Sequence, residues 1–180
     1  MRSRLFHSVA VVLGCVACEV MAQDGKAGFP RGSITPSYSP AQQTAVASPG
    51  LQAAADRLLA ANPRVQFLRQ GSLITRVYGP AFGSGNSPEE TAAAFAAAYA
   101  DLFGAEANEL APVSRLPDAR HTQPLMYNPQ TGTYKFTLVY YSQFRSGLPV
   151  FRSDLRLLVR NEPNYPLVLA ANSLRDLGDF

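Results

Sequence analysis

Residues 133–160 carry the strongest constraint on the fold: two long runs of period-two alternation separated by a tight turn. From Thr133 to Phe144, Tyr134, Phe136, Leu138 and Tyr140 fall on one face, and Lys135, Thr137, Val139 and Tyr141 on the other. From Val150 to Arg160, Phe151, Leu155, Leu157 and Val159 alternate with Arg152, Asp154, Arg156 and Arg160. Such alternation marks strands of a sheet with one wet face. Arg145-Ser146-Gly147 turns the chain between them, whereas parallel neighbours need a crossover of about a dozen residues or more. The two strands are therefore antiparallel.

The flanking text supplies further elements. Gln123–Asn128 reads as a strand entering the turn Pro129-Gln130-Thr131-Gly132, and Tyr165–Ala171 as a strand after the turn Asn161–Asn164. Val65–Leu68 and Ser72–Tyr78 form a hairpin around Gln70-Gly71. Structure is expected to begin at Pro49-Gly50-Leu51, where Leu51, Ala54, Ala55, Leu58 and Leu59 recur at helical spacing until Asn62-Pro63 stops them. A second helix starts with Ser87 as N-cap, Pro88 at the first helical position and Glu90 closing a capping box. Its stripe is Phe95, Ala98, Tyr99, Leu102 and Phe103, and Gly104 is placed to end it. The expected fold is α+β: a central Ala-rich helix on an antiparallel sheet of about four strands, spanning residues 51–180.

The ends of the chain speak to compartment. Met1-Arg2-Ser3-Arg4 followed by the apolar run Leu5–Val20 reads as a secretory signal peptide over residues 1–22, cleaved after Ala22. Val12-Leu13-Gly14-Cys15 keeps open a lipoprotein box, in which Cys15 would be lipidated and the product anchored rather than free. Cys15 and Cys18 spell Cys-x-x-Cys, but both stand in the segment expected to be removed, which leaves a mature chain without cysteine. Residues 23–50, rich in Gly, Pro, Ser, Thr, Ala and Gln, read as a disordered linker. The expected location is extracellular or periplasmic, with no membrane span. Removing Arg2, Arg4 and Glu19 from sixteen basic and thirteen acidic residues leaves a net charge of about +2. That charge has no basic block, which argues against a nucleic-acid partner. Phe180 as a final residue suggests that a partner covers it or that a longer product has been cut.

Two segments together carry a family likeness. The first is Ser87-Pro88-Glu89-Glu90 with Phe95, Tyr99, Leu102 and Phe103-Gly104; the second is Tyr141-Ser142-Gln143-Phe144-Arg145-Ser146-Gly147-Leu148-Pro149-Val150-Phe151. The order of a helix ending Leu-Phe-Gly, a strand, Gln-aromatic, basic-x-Gly-aliphatic-Pro-Val and an amphipathic strand resembles the fungalysin/thermolysin propeptide (FTP) domain of secreted zinc metalloproteases. The likeness covers residues 72–171, and its specificity rests on Gln143–Val150. It implies a cystatin/PepSY-like fold, a helix cradled by a curved antiparallel sheet. It also implies a non-catalytic role: assisting the folding of a metalloprotease catalytic domain, or inhibiting it, in cis as the front of a longer precursor or in trans. The partner-binding hairpin would comprise Gln143, Phe144, Arg145, Gly147, Leu148, Pro149, Val150, Phe151 and Arg152. The alternative is a secreted or envelope structural protein that kept the fold without a protease partner.

Zinc proteolysis on a His-Glu-x-x-His helix needs two imidazoles one turn apart, and the chain has only His7 and His121. His121, in the polar run Asp118–Thr122, reads as a solvated loop side chain. Ser-His-Asp and Cys-His arrangements lack a positioned base or a thiol. Gly79–Asn86 sits where a phosphate cradle would, but lacks the P-loop Lys and would aim Glu89 and Glu90 at the phosphate, so a mobile loop is expected. Asp176 and Asp179 show no further sign of a metal or glycosidase site. No catalytic residue, metal or cofactor is expected. What remains is a concentration of aromatics: Tyr140, Tyr141, Phe144, Phe151 and Tyr165. Any that face outward beside Arg145, Arg152 or Arg156 would form the kind of patch that interfaces favour.

Overall fold

The computed structural model describes residues 48–113, 117 and 120–178. Cys15, Cys18, Ala22 and the rest of the leader, residues 23–47, Asp118, Asp179 and Phe180 lie outside the described residues.

Helix α1 spans Pro49–Ala61, so the last two residues of the expected linker are already helical. Ser48 caps it by accepting from the Leu51 N–H, and Leu51, Ala54, Ala55 and Leu58 are its buried stripe. At its end the Asn62 N–H bonds Leu58 O at 2.8 Å, and Pro63 cannot continue the ladder. Helix α2 spans Pro88–Tyr99. The Glu90 N–H donates to Ser87 Oγ at 3.1 Å, as the N-cap reading requires. The returning half of the box differs. The Glu90 carboxylate accepts from the backbone N–H and side-chain amide of Asn86, one residue further out than the N-cap. After Tyr99 the helix tightens into a 3-10 turn, Ala100–Phe103, and Gly104 closes it at φ 73°. Ala98, expected on the stripe, is exposed on α2, where Ala92, Phe95 and Ala96 form the buried side, while Ala100, Leu102 and Phe103 of the turn are core.

The strands are β1 (Gln66–Gln70), β2 (Leu73–Tyr78), β3 (Leu110–Ala111), β4 (Thr122–Asn128), β5 (Thr133–Arg145), β6 (Leu148–Arg160) and β7 (Leu167–Asn172). All pairings are antiparallel, in the order β1-β2-β7-β6-β5-β3, with β4 also on β5. The sheet thus has seven strands rather than about four. The N-terminal hairpin joins the same sheet through β7, and β3 and β4 share the far edge of β5. β7 starts at Leu167 rather than Tyr165, because Asn164 and Tyr165 take φ of 67° and 41° and prolong the turn.

One face of the sheet is dry. Val139 and Tyr141 of β5, Leu155, Leu157 and Val159 of β6, and Leu167 and Ala170 of β7 join the buried residues of both helices in one cluster. Helix α2 lies against β5 and β6, and α1 lies against the 3-10 turn that follows α2. Full burial of a leucine such as Leu58, Leu102 or Leu157 contributes about 2 kcal/mol. The glycine-rich segment Gly79–Asn86 is tied down rather than loose: Phe82 and Gly83 exchange backbone hydrogen bonds with Leu167, and Gly85 bonds Asn164. Phe82 is buried edge-on against Phe95 at 5.5 Å.

Candidate functional site

The β5–β6 hairpin is closed by Ser146 and Gly147, with φ of 51° and 79° between the paired residues Arg145 and Leu148. Positive φ at both positions is the two-residue turn whose twist matches that of the strands. The ladder pairs Phe144 with Pro149, then breaks, and resumes with Ser142 opposite Asp154. Val150, Phe151, Arg152 and Ser153 therefore stand opposite the single residue Gln143. Arg152 takes φ 53° inside this bulge.

The bulge overturns the even alternation expected along β6. Phe151, expected on the same face as Leu155, is thrown outward to 80% exposure, while Ser153 is fully buried. Leu148 is 71% exposed, and the Arg152 guanidinium lies 5.1 Å from the Phe151 ring centre. Pro149, Gly147 and Arg152 are exposed, and Phe144 and Val150 half-buried.

Gln143 lies inside. Its Nε2 donates to Glu109 Oε2 at 3.1 Å and to Arg175 O at 2.9 Å. Its Oε1 accepts from Ser153 Oγ and from the Arg175 N–H. Every hydrogen-bonding position of the amide is used. Arg145 pairs with Glu109 Oε1 and donates to Gly178 O at 2.8 Å. Glu109 sits in a 3-10 turn, Ala107–Glu109, where Glu106 and Glu109 form a reciprocal capping box. Burial alone would raise the Glu109 carboxyl, but the hydrogen bonds from Gln143, Arg145 and the Glu106 N–H, with the Arg145 charge, hold it below its ordinary value. Three donors occupy most of the acceptor sites of this carboxylate, which thereby ties the Ala107–Glu109 turn to β5. A groove of about 520 Å³ runs beside it, lined by Glu106, Asn108, Phe144 and the turn residues.

The expected site residues therefore divide. Leu148, Phe151 and Arg152 are exposed, the last two in contact with each other, whereas Gln143 and Arg145 hold β5, β6, the Ala107–Glu109 turn and the segment after β7 in register. Of the remaining aromatics, Tyr141 is core; burial first, and then the charge of Glu89, raise its hydroxyl above the ordinary value. Tyr140 is half-buried and donates to Gln123 Oε1 at 2.8 Å, and Tyr165 packs on the core. His121 is half-exposed, its carbonyl bonded by the Tyr140 N–H. Sequence reasoning missed Glu109, Ser153 and Arg175. Only the first had a local signal, the Glu-x-x-Glu spacing of Glu106 and Glu109.

No family model, curated protein or solved structure matches this chain. Among the described residues no group of three or more His, Cys, Asp or Glu side chains is placed to hold a metal ion. No helix of the described residues is long and apolar enough to cross a membrane.

Proposed function

We propose that this chain is a non-catalytic, propeptide-like module that assists the folding of, or inhibits, a thermolysin- or fungalysin-type metalloprotease. It acts either as the N-terminal part of a longer precursor or in trans. The observation that carries this reading is the outward pair Leu148 and Phe151, 71% and 80% exposed, on a bulged hairpin with Arg152 against the ring. These residues stand in the stretch that resembles the FTP domain. Bulges recur where a strand re-aims a side chain for a purpose. Aromatic and arginine anchors ringed by polar side chains are what partner surfaces select. An Ala-rich helix laid on an antiparallel sheet is compatible with the cystatin/PepSY-like fold of that family.

The test is a titration of the purified chain against a thermolysin-type protease, followed by proteolysis of a fluorogenic peptide and by refolding yield of the denatured protease. Binding with slowed turnover or raised yield is the expected result, lost in Leu148→Ser and Phe151→Ser. A chain that neither binds such a protease nor alters its folding would sink the proposal and leave the envelope role standing.

A further inference from the structure

The sheet ends on β1, which pairs with β2 and with no other described strand. No backbone hydrogen bond reaches Gln66–Gln70 from a described residue outside β2. Such an edge offers its outer N–H and C=O groups to another strand. The far side of the sheet is protected against pairing of this kind. There β3 has only two residues, and β4 carries Pro124, which has no N–H, and Met126 at φ 58°. β1 has no proline, glycine or positive φ, and its one charged side chain is Arg69.

The β1–β2 ladder fixes which groups face outward. Leu68 lies opposite Arg76 and Arg69 opposite Ile74, so Thr75 is the extra residue of a bulge, and it stands on β2. The Thr75 hydroxyl donates to Leu68 O at 3.1 Å. Leu68 thus turns its carbonyl towards β2, and by the alternation of an antiparallel strand Phe67 and Arg69 turn theirs to the open edge. Side chains alternate across the plane of the sheet. Phe67 packs against the core on the helix side, with the Arg69 guanidinium 5.9 Å from its ring centre, and Leu68 is exposed on the outer face.

The order of residues selects the occupant. Gln66-Phe67-Leu68-Arg69-Gln70 is complementary to itself when reversed about Leu68. Two antiparallel copies centred there set Gln66 against Gln70, Phe67 against Arg69, and Leu68 against Leu68. Phe67 and Arg69, whose backbone groups face outward, become the pair that exchanges both N–H···O bonds. The two leucines take the non-bonded position, where side chains approach most closely. Each phenyl ring gains a guanidinium across the seam, a cation–π contact. The two Arg69 side chains stand diagonally, about 7–8 Å apart, and not opposite each other. Centring on Arg69 would set guanidinium against guanidinium, and centring on Phe67 would lose both the leucine pair and the ring contact. Self-complementarity about one residue is what a twofold interface between identical subunits requires.

We infer that β1 is a self-association edge, through which two copies of this chain join their sheets antiparallel about a twofold axis at Leu68. The seam is short, so the dimer is weak and concentration-dependent. It lies at the opposite end of the strand order from β5, and the protease reading neither requires nor excludes it.

The test is sedimentation equilibrium of the full chain over a wide concentration range, with hydrogen exchange read at the Phe67 and Arg69 N–H groups. The parent should dimerise, and both amides should exchange more slowly as concentration rises. Leu68→Lys and Leu68→Glu each set like charges opposite each other and should weaken dimerisation roughly tenfold or more. An equimolar mixture of the two should recover parent-like affinity, because Lys then faces Glu. Arg69→Pro, which removes an outward N–H, should also abolish the dimer. Unchanged far-UV circular dichroism and melting would show that these exposed-site variants remain folded. A parent that stays monomeric overturns the inference. So does a dimer that the Leu68 variants leave intact, or a mixture no stronger than its components. Slow exchange at Phe67 and Arg69 that ignores concentration also overturns it, by giving the edge to another segment of the same chain.

Discussion

Gln143 holds Arg175 in the way one strand holds another, its Nε2 donating to the Arg175 carbonyl and its Oε1 accepting the Arg175 N–H, both at 2.9 Å. Beyond β7 the chain has left the ladder, and a side-chain amide stands in for the missing backbone partner. Neighbouring contacts extend the arrangement: the Ser173 N–H bonds Asp154 O at 2.9 Å, and Arg145 reaches Gly178 O. The residues after β7 are thus bound to the same hairpin whose outer side carries Leu148 and Phe151.

Gln143→Leu keeps the volume and removes the amide. Glu109, Ser153 and both backbone groups of Arg175 would lose a partner, and one buried orphan alone costs about 1–3 kcal/mol. We expect a loss of about 3 kcal/mol in urea unfolding, with faster hydrogen exchange at the Arg175 N–H. Parent-like stability would show that water replaces the amide at no cost.

Glu109 gives the fold an acid sensitivity with a definite sign. Its folded-state pKa lies below the ordinary 4.5, so its contribution is complete above that pH and is lost as pH falls through the lower folded value. Chemical denaturation across this acidic range should show stability declining in the parent. In Glu109→Gln stability should be lower at neutral pH, and this group's share of the decline should vanish. An unchanged acid limb in the variant would assign the decline to other carboxylates.

Two glycines should respond to alanine for different reasons. At Gly147, φ is 79° and nothing lies within 4 Å of an added Cβ, so Gly147→Ala should cost only the left-handed backbone term, about 1 kcal/mol. At Gly85 an added Cβ would sit 2.8 Å from both the backbone N and the Oγ1 of Thr91, whose hydroxyl donates to Tyr165 O. Gly85→Ala should therefore cost more, about 3 kcal/mol, by prising the Gly79–Asn86 segment from α2. Thermal melts of the two variants would order them, and the reverse order would refute this account.

Local chemistry made much of this fold legible. The caps Ser87 and Gly104, the stop at Asn62-Pro63, the Ser146-Gly147 turn and the stripe Leu51, Ala54, Ala55 and Leu58 depend on neighbours within a turn or two, and they stand where the residues place them. Long-range pairing was less visible. Nothing in Gln66–Tyr78 says that its partner is β7, and the two-residue strand β3 is too short to have a period. The site was legible in position but not in orientation. Period-two reading puts Phe151 with Leu155, yet the bulge opposite Gln143 reverses this, because a buried amide needing Ser153 and Arg175 outweighs regular alternation.

That reversal gives the last prediction its force. A phenylalanine with 80% of its surface exposed contributes little to the core, so Phe151→Ser should leave the melting temperature nearly unchanged, a shift equivalent to within about 0.5 kcal/mol. The same holds for Leu148→Ser at 71% exposure. In contrast Leu157→Ser, at the regular inward position on the same strand, should lose about 3 kcal/mol or more, because a buried leucine leaves a cavity and a hydroxyl is desolvated. Melting the three variants side by side separates surface from core without any knowledge of a partner. If Phe151→Ser destabilises as Leu157→Ser does, the ring belongs to the core, and the outward anchor on which the docking proposal depends does not exist.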